Sequence, residues 1–489
     1  MILFKIRGNF LLTNLVFILL LSSNLLFSQK KLTLEELLTL TKSSSLEYQI
    51  IQRNYLKEKL EYDIYTKSYL PRVELKSSLP TYNRSINQIT QPNGDNIFIE
   101  QTQANSTLSL SVFQKLPFSG GTLLVNSSLN RLDLLSSKKV SYSSNWINFF
   151  LSQPLNGYNS FKWSRKINKE KFIRNNIKNY KRFEDLNISA VKLFFSVLIN
   201  QKKMELTQKN IDLTKEYMEI VKKKDSLGRI VTSDFYKVKL SLNELIRKYE
   251  VDINNYKNSM LGLRNLIDFK SKDSIILQEP NFLELPDIDR GKLEQKLMEN
   301  TVNYSMDLEI LESEKELDKA KKERGVQIDL ELAYGLNSNS NNFNDLYNIP
   351  SRREYANIGL TIPIVNWNEN NKKYQVQKLN NQNLLDSYQR KKKSLSVEVN
   401  NIISEIASLF KQVEYLQENI SLIKLNINST YERLKYGRQT WYEFRRELFE
   451  EEKILVNYLS TIQQIWLIRY QLRKNSLHDF FVKKDLFFK

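Results

Sequence analysis

Gly228-Arg229-Ile230-Val231-Thr232-Ser233-Asp234-Phe235 returns 209 residues later as Gly437-Arg438-Gln439-Thr440-Trp441-Tyr442-Glu443-Phe444. Glycine, arginine, an acid and phenylalanine hold the same places in both stretches. A glycine supplies the positive φ that ends one helix, and Asp or Glu shortly afterwards suits the first turn of the next. Two unrelated helix turns built from common residues would read the same way locally. The order of segments around them favours an internal repeat.

In the second half, residues from about 291 to 323 carry helical periodicity. Val326, Ile328, Leu330, Leu332 and Tyr334 then alternate with Gln327, Asp329, Glu331 and Ala333, a strand with one apolar and one polar face. A loop rich in Asn and Ser spans Asn337 to Asn348, and a return strand alternates Ile358, Leu360 and Ile362 with Asn357, Gly359 and Thr361 before Pro363. From Trp367 to Tyr436 a helix of about 70 residues is expected, which at 1.5 Å per residue is roughly 105 Å. A shorter helix follows Gly437 to about Asn475.

The first half repeats this order. A helix is expected from Thr33 to Tyr69, ending before Pro71. Alternation follows at Val73, Leu75, Ser77 and Leu79, and again at Leu108, Leu110 and Val112. Further strands are expected over Thr122 to Leu129 and Trp146 to Ser152. A long helix from Tyr158 to Leu227 leads to the Gly228 break, and a shorter one covers Thr232 to Ile267. This half carries an extra hairpin around Leu116-Pro117-Phe118-Ser119-Gly120-Gly121. Asp268 to Arg290, with Pro280 and Pro286, joins the halves.

The helices carry coiled-coil spacing. Val399, Ile402, Ile406, Leu409, Val413, Leu416, Ile420, Ile423 and Ile427 step by three and four, and Leu434 resumes the register past Thr430. Leu206, Leu213, Ile220 and Leu227 recur every seventh residue, and Phe235, Val238, Leu242, Leu245 and Tyr249 continue beyond the break. Such a seam demands helix-on-helix packing, which a soluble coiled coil would also show. Strands with two unlike faces beside helices longer than a globular domain needs imply two solvents. The strands would pool with those of other copies into a closed barrel, hiding edges that lipid cannot satisfy. Tyr82, Trp146, Tyr334 and Tyr355 are expected near strand ends, where interfacial aromatic girdles belong.

The amino terminus bears on compartment. Lys5 and Arg7 precede an apolar run from Phe10 to Phe27, and Ser28 and Gln29 follow it. A basic start, an apolar middle and a small exit residue describe a secretory signal peptide over 1–28; an uncleaved anchor is the alternative. The 489 residues contain no Cys, which excludes disulfides and a lipid-modified N-terminal Cys. Elsewhere no run is long and apolar enough for a membrane helix, and mean hydropathy is −0.47. Net charge is +18, or +16 without Lys5 and Arg7. In an exported chain this charge points to solvated helix faces, anionic lipid head groups or an acidic partner rather than nucleic acid.

Chemistry is sparse. His478 is the sole histidine, so His-based metal clusters and Ser-His-Asp or Cys-His mechanisms lack their parts. No phosphate-cradling loop is present, and Gly120-Gly121 reads as a turn between strands. The expectation is no enzyme, no cofactor and no metal site, with transport energy supplied by a partner.

The pattern resembles the TolC-like outer-membrane efflux family over nearly all of the chain after the signal segment. The resemblance rests on Leu32-Thr-Leu-Glu-Glu-Leu, Leu70-Pro-Arg-Val, Ser152-Gln-Pro-Leu and Thr361-Ile-Pro-Ile-Val-Asn-Trp, in order around the two glycine breaks. It implies a mainly α fold with membrane β: a trimeric α-helical coiled-coil barrel plus a shared transmembrane β-barrel, with two structural repeats per chain. Four strands per chain would make twelve. The extra hairpin departs from that number and is expected in a surface or plug-like loop. Implied partners are a homotrimer, a periplasmic adaptor, an inner-membrane pump of RND or ABC type and outer-membrane lipids. The implied adaptor-contacting tips are Gly228, Arg229, Ile230, Val231 and Thr232, with Gly437, Arg438, Gln439 and Thr440. The pore constriction would fall at Glu443 and Arg446. A ring of glutamates attracts cations and nearby arginines oppose it; a plain helix N-terminal acid is the other reading of Glu443.

The expected organisation is therefore 1–28 signal peptide, 29–267 first repeat, 268–290 connector, 291–476 second repeat and 477–489 C-terminal extension. The implied function is the outer-membrane exit channel of a tripartite efflux pump or type I secretion system, with a periplasmic helical part. The competing reading is a non-conducting coiled-coil structural or adhesive envelope protein. Cargo is not encoded legibly, because a shared duct has only a polar lumen.

Overall fold

The computed structural model describes residues 30–267 and 275–486. The expected signal segment lies outside them, as do 268–274 of the connector and 487–489 of the C-terminal extension. In chain order the elements are β1 (Lys30–Leu32), α1 (Leu34–Ser44), α2 (Leu46–Lys67), β2 (Arg72–Thr90), β3 (Asn96–Leu116), β4 (Gly121–Leu134) and β5 (Lys139–Pro154). Then come α3 (Ser160–Ser226), α4 (Thr232–Leu266), β6 (Ile275–Leu277), α5 (Arg290–Leu297), a π-helical turn (Met298–Asn303) and α6 (Tyr304–Glu323). The chain closes with β7 (Gln327–Ser340), β8 (Ser351–Thr361), α7 (Glu369–Lys435), α8 (Trp441–Ser476), β9 (His478–Asp479) and β10 (Lys484–Asp485). The 67-residue helices α3 and α7 occupy equivalent places before the two glycine breaks.

The chain forms two compact units, and each draws on both halves of the sequence. Among the described residues, one unit holds those up to Asn54, those between Lys178 and Asn300 and those from Leu395 onward; the other holds Tyr55–Ile177 and Thr301–Ser394. All four passages between them fall inside helical segments: α2, α3, the π-helical turn and α7.

In the first unit, β1 pairs in parallel with β6. Thr33 then caps α1: its hydroxyl accepts from the Glu36 amide at 3.2 Å, and Glu36 accepts from the Thr33 amide at 3.0 Å. The expected single helix from Thr33 to Tyr69 is interrupted at Ser45, which is extended at φ −71° and ψ 129°. The cause is local: serine hydroxyls compete for backbone groups, and Ser43 bonds back to the Leu40 carbonyl. The expected helix over 291–323 likewise breaks at the π-helical turn, where the Asn300 amide donates to the carbonyls of Lys296 and Ser476.

The predicted seam of α7 is buried at Val399, Ile406, Leu409, Val413, Ile423, Ile427 and Leu434, while Ile402, Leu416 and Ile420 are half-buried. Leu206, Leu213 and Ile220 are also half-buried and Leu227 is exposed. On α3 the buried row is offset to Thr207, Asn210, Ile211, Thr214 and Val221. The sole histidine is buried beside α8, with its Nδ1 2.8 Å from Asp485. It lies in β9, which pairs antiparallel with β10.

The second unit contains one six-stranded antiparallel sheet in the order β2-β3-β4-β5-β7-β8. The strands run further than the alternation predicted. Consequently Tyr82, Trp146, Tyr334 and Tyr355 lie within strands, not at their ends. Trp146 sits at a register break in β5, donates to Ser338 Oγ at 3.1 Å and packs against Tyr347 at 5.6 Å between ring centroids. The extra hairpin is likewise part of the sheet, not a surface or plug-like loop. Beside the sheet, Tyr62 stacks on Phe172 at 4.4 Å and Trp163 donates to Asp318 at 2.8 Å, joining helical segments of this unit.

Candidate functional site

The two faces of the sheet differ in polarity. Following the strand pairings, one face carries Val73 and Leu75, then Leu108, Leu110 and Val112, then Leu123, Val125 and Leu129. It continues through Ile147, Phe149 and Leu151 to Leu330, Leu332, Tyr334 and Leu336, and ends on Ile358 and Leu360. The opposite face carries Ser109, Ser111, Asn126, Ser128, Asn145, Asn148, Asp329, Glu331 and Asn357, with one apolar row at Phe113, Leu124 and Phe150. Many of the apolar side chains are exposed, among them Leu75 at 68% and Ile358 at 68%. Such an apolar area facing water is costly. Along β7 the apolar run from Ile328 to Leu336 is nine residues, the length at which a tilted strand crosses a bilayer. Among the described residues no helix is long and apolar enough to do so.

The two glycine breaks adopt the same geometry. Gly228 sits at φ +63° and Gly437 at φ +72°. The Gly228 amide donates to Asp225 O at 2.9 Å and the Arg229 amide to Lys224 O at 2.9 Å. At the second break, Gly437 donates to Leu434 O at 3.0 Å and Arg438 to Arg433 O at 2.9 Å. Both are Schellman closures, in which a left-handed glycine lets two amides satisfy the last helical carbonyls. Neither glycine has a neighbour within 4 Å of a would-be Cβ. Backbone conformation, not crowding, therefore requires glycine here.

The following helices start differently. Val231 precedes α4 without a side-chain cap, and Asp234 lies in its first turn. Thr440 caps α8: Glu443 N donates to its hydroxyl at 3.3 Å, and Glu443 Oε2 accepts from the Thr440 amide at 2.9 Å and hydroxyl at 2.8 Å. Glu443 thus completes a capping box in this chain. The backbone donor at Thr440, its hydroxyl and the charge of Arg446 hold the carboxyl below the usual glutamate range. Gly228, Arg229, Val231, Thr232, Gly437, Arg438, Thr440, Glu443 and Arg446 are exposed, and Ile230 and Gln439 are half-buried.

Residues that the sequence did not single out bring the two tips together. Trp441, the first residue of α8, stacks on Tyr217 of α3 with centroids 5.3 Å apart and planes 6° apart. Its Nε1 donates to Ser241 Oγ of α4 at 3.0 Å. Arg445 reaches Glu244 at 2.6 Å, and Lys224 Nζ donates to Lys435 O at 2.9 Å. Beneath them lie Ile423, Ile427, Tyr431, Leu434, Phe444 and Leu448. A groove of about 620 Å³ collects Ile230, Gly437, Gln439, Thr440 and Trp441 on its walls. The signal available in the sequence was Trp441 itself, a large aromatic at the opening of a helix. Among the described residues no group of three or more His, Cys, Asp or Glu could hold a metal ion.

No protein-family model matches the chain, and no curated protein matches it by sequence. Solved structures do match. The outer-membrane channel OprN shares 10% identity over 90% of this chain and 89% of its own, with a TM-score of 0.62. The Campylobacter jejuni outer-membrane channel CmeC shares 13% identity over 90% of this chain and 85% of its own, at 0.61. The open state of the Neisseria gonorrhoeae outer-membrane channel MtrE shares 13% over 90% and 88%, at 0.57.

Proposed function

We propose that this chain, which has the fold of the outer-membrane channels, is itself an outer-membrane exit channel serving a tripartite efflux pump or a type I secretion system. The observation that carries the reading is the two-faced sheet. Its apolar face suits lipid and its opposite face, rich in Ser and Asn, suits water. The channel would work as a homotrimer with its helical part in the periplasm. It would be passive, with the energy supplied by an inner-membrane pump of RND or ABC type.

The paired tips are the proposed docking point for a periplasmic adaptor, through Gly228, Arg229, Ile230, Val231 and Thr232 and through Gly437, Arg438, Gln439 and Thr440. Exposed backbone turns beside a groove of mixed lining, with Ile230 and Trp441 next to Lys224, Asp234 and Arg445, support this assignment. Glu443 and Arg446 would sit at the pore constriction. Glu443 can cap its helix and still present charge, because it is fully exposed. Arg446 close by offsets that charge, so strong cation selectivity is not expected.

The experiment is outer-membrane fractionation followed by planar-bilayer recording of the purified protein, with cysteines at Arg229→Cys and Arg438→Cys to capture a periplasmic partner. A trimer that conducts, and whose tips crosslink to an adaptor, is the expected result. A water-soluble monomer without conductance would sink the reading.

A further inference from the structure

The first half of the chain carries one hairpin more than the second, and carries it within the sheet. β4 pairs with β3 from Leu116↔Gly121 to Gln103↔Leu134, and with β5 from Thr122↔Ser152 to Leu134↔Lys139. It also keeps the two faces of its neighbours, with Leu123, Val125 and Leu129 on the apolar side and Asn126 and Ser128 on the polar side. A segment folded across a mouth would have no reason to keep register on both flanks.

β2 and β8 remain the edges of the sheet among the described residues. β2 is 19 residues long and exposed along nearly all of them, and so is the 11-residue β8. In lipid such edges must be paired. Every neighbouring pair is antiparallel, so across six strands β8 runs opposite to β2. The β8 of one copy can therefore join the β2 of the next antiparallel, and the ring closes without a mismatch.

The register has the slant that closure needs. The row from Arg72 passes through Phe113, Leu124, Phe150 and Ala333 to Tyr355, six residues short of Thr361 where β8 ends. A drift of about 20 Å along strands across about 24 Å of sheet is a tilt of about 40°, within the range of closed barrels. Closure of one sheet on itself would make a narrow barrel filled by side chains, with Glu331, Arg353 and Tyr355 on its inner face.

We propose that each copy contributes six strands, so that the trimeric channel proposed above has an eighteen-stranded wall. At the spacing and tilt just given, its backbone diameter is about 36 Å, against about 24 Å for twelve strands. The mouth would then admit bulky polar cargo, and selection would fall elsewhere along the duct. This inference rests on the trimeric channel reading.

The test is strand counting by electron cryo-microscopy of the full-length protein in lipid nanodiscs. Disulfide trapping of Ile358→Cys paired with Leu75→Cys or Ser77→Cys complements it, in a chain that has no cysteine of its own. Eighteen wall strands, with crosslinked dimers and trimers, are expected. A trimeric channel with twelve wall strands and one hairpin outside would overturn the inference and leave the channel reading intact. Crosslinks only within single, non-conducting chains would overturn both.

Discussion

The indole of Trp441 lies flat against the ring of Tyr217, planes within 6°, and fixes the second helix break to the long helix that precedes the first. The stacked pair is worth about 1 kcal/mol, and the Trp441 hydrogen bond to Ser241 about another 1 kcal/mol. Trp441→Ala should therefore ease opening of the tips by about 2 kcal/mol, roughly 30-fold in equilibrium. Amide exchange at residues 228–232 and 437–444 should speed up by that factor while the core of α3 around Phe194 and Phe195 stays protected. Bilayer conductance of the variant should rise, because the bridge restrains the region proposed as narrowest. Unchanged exchange at the tips would remove the bridge from the argument.

Glu443 gives a pH-dependent outcome. Its carboxyl is held below the ordinary glutamate range by the Thr440 donors first and Arg446 second. A group whose folded pKa is depressed contributes stability above its unfolded pKa and loses it as pH falls through the folded value. The start of α8 should thus hold from neutrality down to the usual glutamate range and fray below it. Exchange at the Glu443 and Phe444 amides, followed between about pH 6 and 3, reads this directly. Glu443→Gln should flatten the pH dependence, and Thr440→Ala should weaken the helix start at every pH by about 1 kcal/mol.

Much of this was legible in the residues, and the gaps have physical causes. Gly228 and Gly437 announced the breaks because only glycine takes φ near +65° freely. Val326 to Tyr334 announced a strand because its apolar and polar residues alternate. Past the apolar band the strands vanished from view: residues 100–103 and 337–340 are polar on both faces, so hydrophobic periodicity is silent there. The inclusion of β4 in the sheet was hidden for a related reason, since turn chemistry at Phe118-Ser119-Gly120 says nothing of where a hairpin packs. Trp441 escaped notice because its partners, Tyr217 and Ser241, lie about 200 residues away. The heptad Leu206, Leu213, Ile220 and Leu227 was real as a pattern, yet the row buried within the chain is its neighbour, Thr207 and Thr214. A long helix in a bundle has more than one contact face, and periodicity does not rank them.

Arg473 and Glu184 offer a stability test. They meet at 2.9 Å, and Arg473 also holds Asp479 at 3.1 Å, which Arg469 shares at 2.9 Å. Glu184 is fully buried. Burial works to lower the Arg473 pKa, but Glu184 and the tyrosines Tyr180 and Tyr470 outweigh it and the net direction is upward. Arg473→Leu strands a buried carboxylate and should cost about 3–5 kcal/mol. Adding Glu184→Gln removes that stranded charge, so the double variant should be more stable than Arg473→Leu alone. Denaturant unfolding followed by circular dichroism, on wild type, both singles and the double, measures the coupling; strict additivity would mean the pair is not a unit.

The two faces of the sheet make opposite predictions for one kind of substitution. Leu332 lies in the apolar row between Leu151 and Ala356, while Ser128 lies in the polar row beside Ser109 and Asn145. A lysine facing lipid near the middle of a bilayer costs about 2–4 kcal/mol per copy, whereas a lumen position keeps its water. Leu332→Lys should therefore reduce the amount of assembled protein recovered from the outer membrane. Ser128→Lys should assemble normally and shift ion selectivity toward anions, because each copy adds a positive charge to the proposed lumen. Heat-resistant oligomers on gels report the first effect, and reversal potentials in a salt gradient report the second. The experiment fixes the sidedness of the wall without reference to the tips. If Leu332→Lys conducted with altered selectivity and Ser128→Lys failed to assemble, the sheet would be inside out relative to the assignment made from its pairings.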